Sequence, residues 1–250
     1  MPKELTTSVA PRSPLRGHEV TEQIKDFILR NGLAPGDPLP TEPTLCNELG
    51  ASRSSVREAI KRLSALDIVE VRHGHGTYVG RLSLNALVES LTFRGRLSNG
   101  DDLTTLFELV SVRKVLEQGL AEDIVRGYDE EQHEGLSELV TRMEDAAEKG
   151  ERFVEEDRAF HLMLLGPLRN HLVNQLTGAF WDVQAVVAPL LLTTDADARE
   201  SAAAHRALID AAHRGDVPGF VAAVTDHYEP ILHHLRELTG TGIAEPGTSS

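Results

Sequence analysis

Residues 41–63, TEPTLCNELGASRSSVREAIKRL, constrain the fold more than any other stretch. Two helical patterns, at 42–49 and 52–62, are separated by Gly50, which ends the first two residues before the second begins. Thr41 stands as N-cap of the short first helix, and Pro43 is tolerated in its first turn. In the second, Ser52 offers a hydroxyl to a first-turn amide. Ser55 occupies the capping-box position, where serine is a weaker partner than Glu or Gln. Val56, Ala59, Ile60 and Leu63 recur at steps of three and four, an apolar stripe that needs a core to pack on. Arg53 and Arg57, four apart, project from one flank near the N-terminal end, the end that a recognition helix presents to base edges. Helix, tight turn, helix at this spacing is the helix-turn-helix arrangement.

The flanks extend that motif. Residues 19–31 place Val20, Ile24, Phe27 and Ile28 on one helical face, and Gly32 stops the pattern. Three prolines and a glycine make residues 33–40, LAPGDPLP, a connection that cannot be helical. Beyond Leu63, two β-rich runs, 68–72 and 77–79, surround His73, Gly74, His75 and Gly76, which indicates a hairpin. Such a wing can approach a minor groove or a phosphate backbone. Charge is distributed accordingly: residues 1–81 carry 11 Lys and Arg against 10 Asp and Glu, whereas residues 82–250 carry 14 against 29. Attraction to phosphate is thus confined to one end of an acidic chain. Arg53 and Arg57 have the bidentate geometry that reads guanine, and Lys61 or Arg62 suits a phosphate contact. The bland alternative, cations solvating an exposed face, would suit a lone helix; three helices followed by a wing argue against it.

The remainder is helical throughout. After a link at 80–83, residues 82–97 carry Leu84, Leu87, Val88 and Leu91 on one face. Further helical patterns cover 102–126, 130–149, 153–165, 170–189, 197–214 and 218–238, with breaks at Ser98 to Asp101, Gly127, Gly150, Gly166-Pro167 and Gly215-Asp216. No stretch alternates like a strand, so the expected class is mainly α: an N-terminal winged helix-turn-helix plus a C-terminal all-α antiparallel bundle. The expected domains are a loose arm (1–17), the DNA-binding head (18–80), a linker and first helix (81–101), the bundle (102–239) and a loose tail (240–250). The single cysteine, Cys46, excludes a disulfide within the chain and falls in an apolar helical pattern, so it reads as a buried, inert thiol. With no run of membrane-spanning length and no signal-peptide core, the expected location is the cytoplasm.

One polar set stands out from the bundle's surface charge. Asp157 and His161 are i and i+4 and share a helical face; His205 lies among Ala203, Ala204, Ala207 and Leu208; His227 lies near Val224 and Ile231. Any one of these histidines, taken singly, is more ordinarily a surface or hydrogen-bonded residue. Together, a carboxylate and three imidazoles projecting into a bundle core can coordinate a divalent transition metal and leave positions open for water or a ligand. The others read more simply: His213, His233 and His234 sit near helix C-termini, His133 and His171 at the surface, and Asn170 as a cap.

Residues 18–80 resemble the winged helix-turn-helix domain of the GntR family of bacterial transcription regulators, on LPTEPTLCNELGASRSSVREAIKRLSALDIVEVRHGHGTYVG. The resemblance implies that Arg53 and Arg57 contact bases or adjacent phosphates, that Ser52, Ser54 and Ser55 meet the backbone, and that His73 and Gly74 enter the minor groove; Thr41 joins these contacts. Pro43 departs from the pattern, since many relatives carry a basic residue there. Residues 102–238 resemble the FCD effector domain of the FadR-type regulators, closest over DRAFHLMLL (157–165) and HRALIDAAHRGD (205–216). That resemblance implies a metal, zinc or nickel, on Asp157, His161, His205 and His227, and a small carboxylate effector with Arg113 as second anchor.

The expected function is a ligand-responsive regulator of transcription, a repressor and not an enzyme, binding double-stranded operator DNA as a homodimer. Two rivals stand beside it. A metal-dependent hydrolase or lyase with an appended head is disfavoured because the body lacks H-E-x-x-H and shows no obvious general base beside the ligands. The other is a DNA-binding dimer whose bundle is purely structural.

Overall fold

The computed structural model describes residues 14–97, 103–187 and 195–239. The described residues fall into two compact units, divided between Ala86 and Leu87. In the first, α1 (Pro14–Arg30), α2 (Glu42–Leu49) and α3 (Arg53–Ala65) precede a hairpin of β1 (Val69–Arg72) and β2 (Gly76–Val79). The helix α1 takes in residues 14–17, assigned above to a loose arm; proline fits the first helical position because its fixed φ suits the helix and its missing N–H would be unpaired there anyway. The remainder of that arm, the tail 240–250 and the break at 98–101 lie outside the described residues.

The stripe on α3 does what its spacing requires: Val56, Ala59, Ile60 and Leu63 are buried against Val20, Ile24 and Ile28 of α1 and Leu45 of α2. Gly50 turns the chain between α2 and α3 with φ 60°, and the Ala51 N–H closes the turn on the Cys46 carbonyl at 3.0 Å. Cys46 is half-buried against this core. The hairpin pairs Val69 with Val79, and both are buried. The proline-rich connection ties itself to the hairpin's free edge: Leu39 N–H donates to Thr77 O at 2.8 Å and Val79 N–H to Asp37 O at 2.8 Å. The wing is thereby fixed to the helical core from both sides.

The second unit begins with α4 (Asn85–Leu97), which starts within the last residues of the first, and continues with α5 (Thr104–Gly119), α6 (Ala121–Gly127), α7 (Glu130–Glu148), α8 (Val154–Leu165), α9 (His171–Val187), α10 (Asp195–His213) and α11 (Val217–Thr239). The single helix expected over 102–126 is two: Leu120 takes φ −100° and ψ 2° next to Gly119, a weak helix former, which turns the axis while the Leu120 N–H still reaches the Leu116 carbonyl. Asn170 caps α9, accepting from the Val173 N–H.

Packing closes a ring. Helix α5 lies against α11, α11 against α10, α10 against α7, α7 against α8, α8 against α9, and α9 again against α5. Leu106, Leu136, Met143, Phe160, Leu164, Trp181, Leu208 and Phe220 are fully buried. Such a ring has an axis onto which side chains from every helix can converge. Among the described residues no helix is long and apolar enough to cross a membrane.

Candidate functional site

In the first unit the exposed chemistry lies at the start of α3 and the tip of the wing. Ser52 is the N-cap and accepts from the Ser55 N–H at 3.2 Å, and its hydroxyl lies 2.9 Å from those of Ser54 and Ser55. A chain of three hydroxyls thus rims the helix N-terminus, where backbone N–H groups and the helix dipole favour a phosphate. Arg53 and Arg57 are exposed beside it. Arg57 is held from α2: its Nε donates to Glu42 Oε2 at 2.7 Å. Thr41 occupies the N-cap position of α2, but its hydroxyl makes no capping bond and lies 3.0 Å from that of Thr44. His73 and Gly74 are exposed at the wing's tip, Gly74 with φ 77°. Pro43 is exposed as well.

In the second unit the ring of helices brings Asp157 and His161 of α8, His205 of α10 and His227 of α11 together, with one donor atom of each lying within 4.8 Å of the others. His161 and His205 are wholly buried, while the Asp157 side chain keeps 22% exposure, so the cluster opens toward solvent on that side.

The tautomers are fixed from behind. His205 Nδ1–H donates to the Ser201 carbonyl at 2.7 Å, which turns Nε2 to Asp157 Oδ1 at 2.9 Å. His161 Nδ1–H donates to Glu117 Oε1 at 2.7 Å, which leaves Nε2 without a hydrogen-bond partner, 3.4 Å from the same Asp157 oxygen. In the neutral rings both Nε2 atoms carry lone pairs. Lone pairs directed at a carboxylate oxygen repel it unless protons or a cation lie between them. One carboxylate and three imidazoles, two of them backed by outer hydrogen bonds, form a donor set that could hold a metal ion.

Burial and neighbouring charges set the ionisation of three members of the cluster. Burial would raise the Asp157 carboxyl, but the His161 and His205 rings beside it hold it well below its usual range. Burial opposes charge on His161, yet Glu117 and Asp157 raise it. On His227 burial dominates, and the neighbouring His205 and His161 add to it, holding the ring well below 6.5.

Glu117, Tyr228 and Trp181 were not singled out from the sequence. Glu117, on α5 and four residues after Arg113, is 2% exposed, and its Oε1 accepts from His161 and from the Tyr228 hydroxyl at 2.8 Å. Its spacing from Arg113 and the adjacency of Tyr228 to His227 were the available signals. The expectation that no candidate base stands beside the ligands is therefore corrected. Both hydrogen bonds nonetheless engage one oxygen of that carboxylate in holding its neighbours.

Arg113 is 4% exposed; it lies over the Trp181 ring at 4.0 Å, and its Nη1 donates to Gln184 Oε1 at 2.6 Å. Of the other histidines, His133 is half-buried rather than a surface residue, stacked on His213 at 4.1 Å and 3.1 Å from the Tyr128 hydroxyl.

Residues 16–79 match the family model described as bacterial regulatory proteins, gntR family, and residues 108–230 match the FCD domain. NedR of Micromonospora viridifaciens is 50% identical over 104 residues, 42% of this chain and 75% of that one. The HTH-type transcriptional regulator LutR of Bacillus subtilis is 34% identical over 150 residues, 60% of this chain and 67% of LutR. The galactonate operon transcriptional repressor of Escherichia coli is 26% identical over 217 residues, 85% and 93% of the two chains. Among solved structures, Streptococcus agalactiae GntR superposes with a TM-score of 0.61 at 24% identity, covering 87% of this chain and 99% of that one, a likeness of fold. Helix-turn-helix head, wing and FCD bundle place this chain in the GntR family of bacterial transcription regulators, in its FadR-type branch.

Proposed function

We propose that this regulator is a cytoplasmic repressor whose FCD domain holds a divalent transition metal, zinc or nickel, on Asp157, His161, His205 and His227. A small carboxylate completes the site by binding the metal and Arg113. The observation that carries the reading is the convergence of His161 Nε2 and His205 Nε2 on one Asp157 oxygen, with each ring's other nitrogen already engaged. The metal supplies a Lewis-acid anchor for a carboxylate oxygen, and Arg113 supplies the second charge. A sugar acid such as galactonate, named in the repressor to which this chain is similar over most of its length, is the first class to try.

The head reads operator DNA with Arg53 and Arg57 on base edges, the Thr41 and Ser52 to Ser55 hydroxyls on phosphate, and His73 and Gly74 in the minor groove. One short recognition helix contacts only a few base pairs, so the protein binds as a homodimer on a two-fold operator. Release of DNA requires the acid to bind the non-operator conformation more tightly.

The test is metal content of untagged protein by elemental analysis, with Asp157→Ala and His205→Ala alongside. About one transition metal per chain, lost in both variants while the helical signal persists, is the expected result. A parent that takes up neither added zinc nor added nickel overturns the metal reading and leaves the DNA-binding head standing.

A further inference from the structure

The cation in this site is held by a neutral group. Arg113 is almost wholly buried, and its only hydrogen bond among the described residues runs from Nη1 to the Gln184 amide oxygen at 2.6 Å. Its Nε is buried without a partner. The Trp181 ring supports one face of the guanidinium at 4.0 Å, and the Tyr228 ring lies 5.4 Å away. The carboxylate one helical turn along, Glu117, spends its Oε1 on His161 and Tyr228 rather than on Arg113.

Burying a guanidinium is costly, and proteins normally set a carboxylate in direct hydrogen bond with it, whereas Glu117 acts on Arg113 through charge alone. Here the pairing is withheld, although α9 reaches Nη1 with a side chain that differs from glutamate by one functional group. A carboxylate on Nη1 would cancel the charge. The amide instead fixes the plane of the guanidinium against Trp181 and leaves Nε without a hydrogen-bond partner among the described residues. A planar fork held this way is preorganised for bidentate capture of a carboxylate.

We infer that Gln184 is a specificity-determining positioning residue: it orients Arg113 over Trp181 without itself bringing a carboxylate onto the guanidinium, so that direct hydrogen bonding by a carboxylate is left to the effector. The inference rests on the reading of Arg113 as the effector's anchor, and deepens it. It accounts for an amide, rather than an acid, facing a buried arginine.

The test uses acetate as the minimal carboxylate. Zinc-loaded full-length protein is titrated with sodium acetate, with chloride balancing ionic strength, and read by fluorescence of Trp181, the chain's single tryptophan. The parent should give a saturable change. Gln184→Ala should raise the midpoint about 3- to 10-fold, because the freed guanidinium must be ordered by the ligand, as for one immobilised polar side chain. Gln184→Glu should raise it at least about 30-fold with zinc content unchanged, and should melt above the parent, because the new carboxylate meets a buried guanidinium.

Gln184→Glu responding at the parent's midpoint, or melting below the parent, overturns the inference. So does tighter acetate binding by Gln184→Ala, which would make the amide a competitor rather than a support. A zinc-loaded parent with no saturable response overturns the carboxylate reading of the site itself, and this inference with it.

Discussion

Glu117 tests whether the histidine cluster is a built site or an accident of packing. Its Oε1 accepts from His161 Nδ1 at 2.7 Å and from the Tyr228 hydroxyl at 2.8 Å, in a place 2% exposed. Glu117→Ala strands two buried donors, each worth about 1–3 kcal/mol when left unpaired. The metal-free protein should therefore lose about 2–6 kcal/mol in urea unfolding, with a further cost for the cavity. The same change frees the His161 ring, so that Nε2 is no longer directed at Asp157. Loss of such an outer partner typically lowers metal affinity about 10- to 100-fold, or about 1.4–2.7 kcal/mol. Glu117→Gln retains an acceptor oxygen for His161 and should stay within about 10-fold of the parent, a rescue that separates orientation from simple loss of fold. Competition for zinc against a chromophoric chelator gives the affinities, and circular dichroism confirms folding. If folded Glu117→Ala binds zinc as tightly as the parent, the carboxylate does not orient His161 and the reasoning from tautomers fails.

Arg53→Ala and Arg57→Ala should each weaken operator binding by about 1–3 kcal/mol while changing non-specific binding far less, measured by fluorescence anisotropy on operator and scrambled duplexes. Equal losses on both duplexes would reduce these residues to phosphate contacts. In metal-free protein His227 and His161 should make stability fall on both the acid and the alkaline side of the ordinary histidine range. His227, held low by burial, is protonated first in the unfolded chain, so stability falls as pH drops below 6.5; His161, held high against burial by Glu117 and Asp157, loses its stabilising proton as pH rises through its folded value. Each limb has a limiting slope of about 1.4 kcal/mol per pH unit, and His227→Gln should flatten the acid limb and His161→Gln the alkaline one in chelator-treated samples. Gly80→Ala should destabilise the head by about 1–3 kcal/mol or more, since a Cβ there would lie 2.1 Å from the Asp67 carbonyl oxygen; a urea midpoint equal to the parent's would show that the chain can move aside.

The head was legible because its signals are local. The positions of Gly50, Ser52 and the apolar stripe from Val56 to Leu63 specify one helix, one turn and a second helix within a short stretch, and the bounds of α2 follow to the residue. What periodicity does not carry is a change of direction that keeps the hydrogen bonding nearly continuous. The junction at Leu120 preserves an N–H to carbonyl bond across the bend, so the apolar pattern runs through it. Pro230 presents the opposite case: α11 continues through it, although proline removes one donor and leaves the Asp226 carbonyl without its helical partner, one residue before His227.

The site divides along the same line. Asp157 and His161 share a face by spacing alone, but the atoms that decide what they can do come from elsewhere: Glu117 is 44 residues from His161, Asp157 is 48 from His205, and Gln184 is 71 from Arg113. Only closure of the six-helix ring brings them to one axis, and no window of sequence contains that closure. Glu117 shows why composition misleads here. In a body with 29 acidic residues beyond position 81, a glutamate on an amphipathic helix reads as a solvated surface group. Its neighbour four residues earlier, Arg113, faces the same way, and two opposite charges on a helix face ordinarily pair with each other. In this fold they act on each other through charge but hydrogen-bond elsewhere. Glu117 turns to His161 and Tyr228, Arg113 turns to Gln184 and Trp181, and each thereby holds different neighbours in place. A swap that restored the ordinary pairing would stabilise the bundle locally and remove what distinguishes it from a structural one: an imidazole held in one tautomer and a guanidinium hydrogen-bonded to an amide rather than to a carboxylate.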